Sequence, residues 1–394
     1  MIYSFHMKRF LQSLLVIVFV SHSMLFAQAE IADEFPVRVL LDKCEESNPV
    51  VWKISSAKGF RVEDIKDPAA YEEFSKDHLD ISFIKGRLAV NGRRLGSNQV
   101  KIIAQDGNIM YDGREYAGDM LVMCHEKAIH LINSVDLEDY LFSVLRWEGW
   151  PGWPLEVNRV FAIMCRTYVV NKVLRERRKK SIFDIKNDNR HQTYKGVHGA
   201  DHLKESLKDT QGVVMTHEGQ PIEAMYDACC GGVVPGLMSG VNFKGAPYLK
   251  REYGCPHCKK TKLYSWQKEY SLADFHKLLA PEIGAKATVL DVAVSKKDKA
   301  GVVQEVMLKT KTKTYTFTGK KMYNLLRDLR SFCFDVVKKG KKIIFKGRGY
   351  GHHLGVCQWG VRQMVKENWH YLDILEFYYP GVSFMNIQII SAGA

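Results

Sequence analysis

Beyond residue 20 the chain has no apolar run approaching the ~20 residues needed to cross a bilayer as a helix, which excludes a polytopic helical membrane protein. It has no internal repeat, no low-complexity tract and no long linker, which argues against solenoids, stalks and tethered modules. It lacks any nucleic-acid-binding motif. The formal charge of +13 would suit a polyanion, but an export signal at the N-terminus does not suit nucleic acid as the partner. The nine cysteines are an odd number and lack the regular spacing of a disulfide framework. Several of them sit in apolar runs, where burial as small hydrophobes is expected.

What the chain does have begins with a targeting segment. Lys8 and Arg9 precede a largely apolar run from Phe10 to Val20, and Ala27-Gln28-Ala29 has the form of a cleavage site. This layout predicts a secretory signal peptide over residues 1–29 and a mature start at Glu30, in preference to an uncleaved anchor. The expected location is extracytoplasmic, in a periplasm or on the cell-wall side of a membrane. About 365 residues remain, enough for a substantial core. Basic runs at Arg175–Lys180 and Lys338–Lys342 carry much of the positive charge. They suit an anionic partner such as cell-wall polymer or membrane headgroups, or else a solvated face.

From Pro36 to about Ile132, short alternating stretches predict strands: Val37–Leu41, Val50–Ile54, Leu88–Val90, Val100–Ile103, Met120–Cys124 and Ala128–Ile132. Asn91-Gly92, Asp106-Gly107 and Asp112-Gly113 have the chemistry of tight hairpin turns. The texture changes at Asp136. Leu137–Leu145 reads as a helix, and a long helix follows from Pro154, with apolar residues at helical spacing on both sides. Further strands are expected at Gly212–Thr216, Ile222–Tyr226, Thr288–Ser295, Val302–Lys309 and Lys313–Thr318. Helices are expected at Gly319–Leu326, Gly360–Glu367 and Tyr371–Tyr379. The fold class is α+β, with a β-rich part over residues 30–135 integrated with a helical and mixed-strand core over residues 136–390.

Four constellations carry chemistry. Trp147-Glu148-Gly-Trp-Pro-Gly-Trp153-Pro154 holds one carboxylate among three tryptophans. Aromatic faces suit sugar rings, and a desolvated carboxyl group tends to stay protonated and donate its proton. In the long helix, Arg166 lies among apolar neighbours, where a guanidinium needs a carboxylate or a ligand anion as partner. The segment from Gly347 to Gly360 has a high glycine density, which permits close backbone approach to a ligand, with His352, His353 and Gln358 as hydrogen-bonding groups. A fourth group, Cys229-Cys230 followed by Cys255-Pro-His257-Cys258, is compatible with a zinc site, with disulfides or with free thiols. Cys-Pro-His-Cys also occurs in periplasmic thiol oxidases, but residues 254–263 lack the helix pattern which that site requires.

The sequence Gly347-Arg-Gly-Tyr-Gly-His352-His353-Leu-Gly-Val-Cys357-Gln358-Trp359-Gly360 resembles the G-x-G-x-G-H-G-x-G-(M)-S-Q-(Y)-G-A signature of the SpoIID/LytB family. That family comprises stage II sporulation protein D relatives and amidase enhancers. His352 and Gln358 match, whereas His353 replaces a glycine, Cys357 a serine and Trp359 a tyrosine. Leu137-Glu-Asp-Tyr-Leu141 resembles the family's L-E-D-Y-L helix. Trp153-Pro-Leu-Glu156 and Ala162-Ile-Met-Cys-Arg166-Thr-Tyr168 are similar to W-P-x-E-A-L-K-A-Q-A-V-A-A-R-T-Y. Gln192-Thr-Tyr194-Lys-Gly196 is similar to Q-x-Y-x-G, and Cys230-Gly-Gly232 occupies the place of an S/N-G-G turn. Together these stretches span most of the mature chain in family order.

The resemblance implies a peptidoglycan lytic transglycosylase acting on glycan strands during wall remodelling, in division or sporulation. Alternatively, it implies a non-catalytic module that recruits or stimulates an amidase or other divisome or engulfment proteins. Glu148 falls on the glutamate of the P-S-E-M motif and Arg166 on the family's required arginine, although Arg146, Trp147 and Gly149 replace Pro, Ser and Met. The same resemblance implies glycan-positioning roles for Trp153, Tyr168, Gln192, Tyr194, His352 and Gln358, and the aromatic character of Trp147, which departs from the family pattern, offers a further face for a sugar ring. It also suggests zinc near the active site, with Cys229, Cys230, Cys255, His257 and Cys258 as candidate ligands. Glu138 and Asp139 are candidates for a second carboxylate.

Overall fold

The computed structural model describes residues 35–387 apart from 46, 48, 49, 151, 189 and 190. The expected signal peptide lies outside them, as do Pro151 and the last three residues of the expected 136–390 core. Strands dominate the N-terminal part, and helices interleave with small sheets after it, so the fold is α+β. Among the described residues, no helix is long and apolar enough to cross a membrane.

Two sheets build the N-terminal part. The seven-stranded one runs in the order Ile185–Lys186, Pro36–Glu45, Ala128–Asp136, Asp119–His125, Gln99–Ala104, Phe60–Asp64 and Tyr71–Phe74. The six-stranded one centres on Trp52–Ser55 and His78–Ile84. The pattern of period two explains the pairing of faces: Leu79, Ile81 and Phe83 point into the core while the intervening residues stay outside. At Asn91-Gly92 and Asp112-Gly113 both residues have positive φ (50° and 78°, 49° and 69°), the geometry of the hairpin turns their sequence predicts.

The strand Ala128–Asp136 leads directly into α1 (Leu137–Glu148), whose first turn is capped by the Asp136 carboxylate accepting from the Glu138 N–H. A short Trp/Pro turn separates it from α2 (Leu155–Arg178), with Pro154 at the N-cap. The central helix α2 is surrounded by α1, α3 (Lys204–Asp209), the strand Val213–His217 and two later helices, which accounts for its apolar residues on both sides.

The expected strand over Ile222–Tyr226 shrinks to Tyr226–Asp227, which pairs in parallel with Val356–Cys357. The Ile222 and Glu223 N–H groups go instead to the Met215 carbonyl and the Tyr248 hydroxyl, outside any ladder.

A second hydrophobic core lies within the later part of the chain. Trp266, Phe275, Val306, Phe317, Phe334 and Phe345 belong to it, and it is separate from the main core. It is built from α4 (Leu272–Ile283), α5 (Gly319–Leu326) and two three-stranded sheets, one of which pairs Ser265–Ser271 and Phe334–Lys339 on either side of Lys342–Arg348. The chain then returns to the main core through the glycine-rich loop, α6 (Gln358–Lys366) and α7 (Tyr371–Tyr378).

Candidate active site

Glu148 is the last residue of α1, so its side chain emerges where the helix stops and the Trp/Pro turn begins. Two separate segments fix it there. The Thr193 N–H donates to Glu148 Oε1 (2.7 Å), and the Gln358 side-chain amide donates to the Glu148 carbonyl (2.9 Å). The hydroxyl of Tyr226 is buried and has no hydrogen-bond partner among the described residues. Burial first, then the charges of Cys165 and Glu148, push its pKa well above the ordinary phenol value, so it stays a proton donor beside the carboxylate. Tyr168, half-buried on α2, meets the Tyr226 ring edge-on at 6.5 Å, and burial raises its hydroxyl pKa as well. Tyr226 carries no distinctive motif, and its place in the site comes from the parallel pairing with Val356–Cys357.

The three tryptophans of the turn have different surroundings. Trp153 is buried against Phe161 and Trp359, with centroids 5.7 and 5.6 Å away, so it is a packing residue rather than an open sugar platform. Trp147 is 43 % exposed, but Lys195 Nζ lies 3.9 Å from its ring centroid. Trp150, 48 % exposed, stacks on Trp153 at 6.2 Å and meets the edge of Trp359 at 5.8 Å. Trp150 therefore has an open face on a rigid aromatic base.

Gln192 and Tyr194, expected to touch substrate, face inward instead, and so does Arg166, which finds the carboxylate its burial called for. Arg166 is completely buried and forms a two-pronged ion pair with Glu138, Nε to Oε1 and Nη2 to Oε2 at 2.8 Å each. Its remaining Nη1 reaches Thr210 Oγ1 and the Val213 carbonyl. It has no surface left for a sugar carboxylate, and it ties α1 to α2. Gln192 accepts from the Tyr140 hydroxyl in the core, and Tyr194 donates to Asn133 Oδ1 while stacking on Tyr140. In this extended stretch Gln192 and Tyr194 anchor inward, and the intervening Thr193 presents its backbone N–H to Glu148.

The other carboxylates on α1 cannot form a two-acid pair with Glu148. Glu138 is committed to Arg166. Asp139 lies nine residues before Glu148, roughly 13 Å along the helix axis, beyond the ~5–9.5 Å separating the acids of ordinary glycosidases. Its own pKa is raised, first by burial and then by the charges of Asp136 and Glu138.

The glycine-rich loop supplies a positioning contact to the end of α1. The buried Gln358 opens α6 and grips the end of α1. His352 Nδ1 accepts from the Leu354 N–H (3.1 Å), which leaves Nε2 as the protonated nitrogen. Burial lowers this imidazole's pKa to about 4. His353 has φ +71°, which explains why its position resembles a glycine of the signature. Its N–H donates to Asp227 Oδ2 (2.8 Å), and its Nδ1 lies 3.0 Å from the Cys230 carbonyl.

The candidate metal ligands divide. The sulfurs of Cys230, Cys255, Cys258 and Cys357 all lie within 4.8 Å of one another and are buried, a set that can hold a metal ion. Cys229 is not in that set, and its sulfur faces Thr261 Oγ1 at 3.9 Å. His257 is likewise outside it, with Nδ1 2.8 Å from a Glu367 carboxylate oxygen and its ring packed on Trp369 and Phe377. The fourth thiol, Cys357, comes from the glycine-rich signature, and its visible signal was the replacement of a serine there. Cys165, Cys229, Cys230, Cys255, Cys258, Cys333 and Cys357 are free thiols.

A family model described as Stage II sporulation protein matches residues 125–217, the segment that carries α1, α2 and Glu148. A second model, a domain of unknown function, matches residues 245–355, the span of the second core. The chain is similar to an uncharacterized protein of Brachyspira hyodysenteriae, 28% identical over 318 residues, covering 79% of this chain and 83% of that protein. It is also similar to stage II sporulation protein D of Bacillus amyloliquefaciens, 26% identical, with 64% and 75% covered. An amidase enhancer of Bacillus subtilis is 24% identical over 59% of this chain, a match spanning 38% of the enhancer.

Proposed function

Because this chain belongs to the SpoIID/LytB family, we propose that it is an extracytoplasmic lytic transglycosylase that cleaves the MurNAc–GlcNAc β-1,4 linkages of peptidoglycan. The carrying observation is Glu148. A single carboxyl group at a helix end accepts from the Thr193 N–H, and the residue's backbone carbonyl is gripped by Gln358. The buried Tyr226 hydroxyl lies near the carboxyl group, and the chain continues into an aromatic ledge that ends in Trp150. As acid, Glu148 gives its proton to the leaving glycosidic oxygen. As the resulting carboxylate, it takes the proton from the C6 hydroxyl, whose oxygen closes on C1 to give the 1,6-anhydro end. One group serves in both directions, so the reaction needs neither a second carboxylate nor a water nucleophile. Tyr226 and the Thr193 N–H stabilise the charge that alternates on Glu148, and Trp150 offers a face for a sugar ring.

A second reading, a wall-binding activator of an amidase, draws support from the similarity to an amidase enhancer and from the replacements at Arg146, Trp147 and Gly149. Incubating the purified protein with denuded glycan strands separates the two. The enzyme reading predicts 1,6-anhydro products by mass spectrometry. A folded protein that yields none, yet binds strands and stimulates an amidase, supports the second reading and defeats the first.

We also infer that zinc is the ion for the four thiols. Four cysteine sulfurs around zinc at ~2.3 Å stand about 3.8 Å apart, and Cys230 and Cys258 have their sulfurs at 3.7 Å. The Cys230 N–H already points at Cys357 Sγ (3.3 Å), a donor suited to a metal-bound thiolate. Such a centre would fix Cys357, and with it the neighbouring Gln358 that holds Glu148.

A further inference from the structure

Next to the thiol cluster lies a charge that nothing described so far uses. Arg251 is 1 % exposed, and its Nε, Nη1 and Nη2 have no hydrogen-bond partner among the described residues. Its guanidinium rests against the rings of Tyr253, Phe377 and Tyr378, 5.7, 5.3 and 5.2 Å from their centroids. Cation–π contact offsets only part of the cost of removing such an ion from water, so a buried arginine calls for a negative partner. Asp227 is the carboxylate within its influence. However, Asp227 is itself buried, with Oδ2 taken by the His353 N–H and Oδ1 unpartnered. It is a poor source of full negative charge.

The thiol cluster supplies what is missing. Tyr378, whose ring stacks on Arg251, has its hydroxyl 3.1 Å from Cys255 Sγ. The approach is close on the other side too: a Cβ at Gly360 would stand 2.0 Å from the Tyr378 hydroxyl and 3.0 Å from Cys255 Sγ. Glycine at this point of the signature thus leaves room for the tyrosine to reach the sulfur. Loading Zn²⁺ into four thiols releases four protons to solvent and leaves a centre of net charge −2, with no redox step. We propose that Arg251 is the buried counter-ion of a dianionic zinc–tetrathiolate centre formed by Cys230, Cys255, Cys258 and Cys357, placed behind Tyr378 and charged to stabilise the metal-bound thiolates. This rests on the zinc reading above.

The test uses the full mature chain, stripped of metal and titrated with Zn²⁺ against a chelator and with Co²⁺ by absorption. Wild type should bind one ion with the spectrum of tetrahedral cobalt–thiolate. Arg251→Met should keep that spectrum but bind zinc ~10- to 100-fold more weakly, and Arg251→Lys should recover most of the affinity. Zinc affinity within twofold of wild type in a folded Arg251→Met protein overturns the counter-ion role and leaves the zinc reading standing. If Arg251→Met does not fold, Arg251→Lys decides. Retained affinity supports the charge role, and a tenfold loss there contradicts it. A folded wild type that takes up neither ion, with its cysteines counted as disulfides, defeats the zinc reading itself.

Discussion

Arg166 and Arg251 are both sealed from solvent, yet their surroundings have little in common. Arg166 sits between helices with Glu138 on two of its nitrogens and Thr210 and Val213 on the third. The Arg251 guanidinium sits among rings with no hydrogen bond among the described residues. A buried guanidinium that is fully paired belongs to the scaffold: here it joins the helix that ends in Glu148 to the central helix. An orphaned one points to charge elsewhere, and the four sulfurs lie on the far side of Tyr378 from it. Arg166 is therefore the structural one of the two, and Arg251, outside any motif, is the one whose surroundings leave a partner to be supplied.

The sharpest way to break this contrast is to remove each charge in turn. Arg166→Met leaves the Glu138 carboxylate without its partner and should cost on the order of 3–5 kcal/mol in denaturant unfolding. Arg251→Met in metal-free protein should cost far less or even stabilise, because it removes an unpaired buried charge. Equal losses in the two variants would erase the distinction. Next in size, Cys357→Ser should abolish stoichiometric zinc and lower the thermal midpoint. A chelator should lower the midpoint of wild type but leave that variant unmoved, because an ion bound only to the folded state stabilises it. A midpoint insensitive to chelator in both would remove the metal from the account.

A smaller effect separates the tryptophans. Trp150→Ala should weaken glycan binding about tenfold with little change in stability. Trp153→Ala should instead lower stability, since its ring is packed between Phe161 and Trp359. The reverse pattern would make Trp153 the platform.

The smallest effect concerns His352, whose burial lowers its pKa from 6.5 to about 4. Between those values the unfolded chain binds the proton and the folded one resists it. Its contribution is therefore intact above pH 6.5 and is lost as the pH falls towards 4. Stability of wild type relative to His352→Gln should decline over that window, and a flat difference would show that the imidazole titrates freely.

The sequence made the framework legible because its signals are local. Alternation marked the strands from Val37 to Ile132, Asn-Gly and Asp-Gly marked two hairpins, and helical spacing marked α1 and α2. It could not reveal that the chain interrupts its main core with a second one, since each core-forming stretch of Ser265–Arg348 is short and ordinary. Glu148 was readable from its aromatic setting and its motif position. The direction of a side chain was not: Gln192 and Tyr194 turn inward while Thr193 provides the contact, and Gln358 grips backbone rather than sugar. Three of the four thiols were legible. The Cys229-Cys230 pair and Cys-x-x-Cys announced Cys230, Cys255 and Cys258, but Cys357 joins them from about a hundred residues away, and only the fold brings it there.

The central claim is that one carboxyl group, Glu148, performs both proton transfers. Its most direct test is cleavage of denuded glycan strands by wild type and Glu148→Gln, with strand binding measured in parallel. The account predicts 1,6-anhydro products from wild type and a loss of at least ~100-fold in rate in the variant, at unchanged binding. Anhydro products formed by Glu148→Gln at the wild-type rate would contradict it.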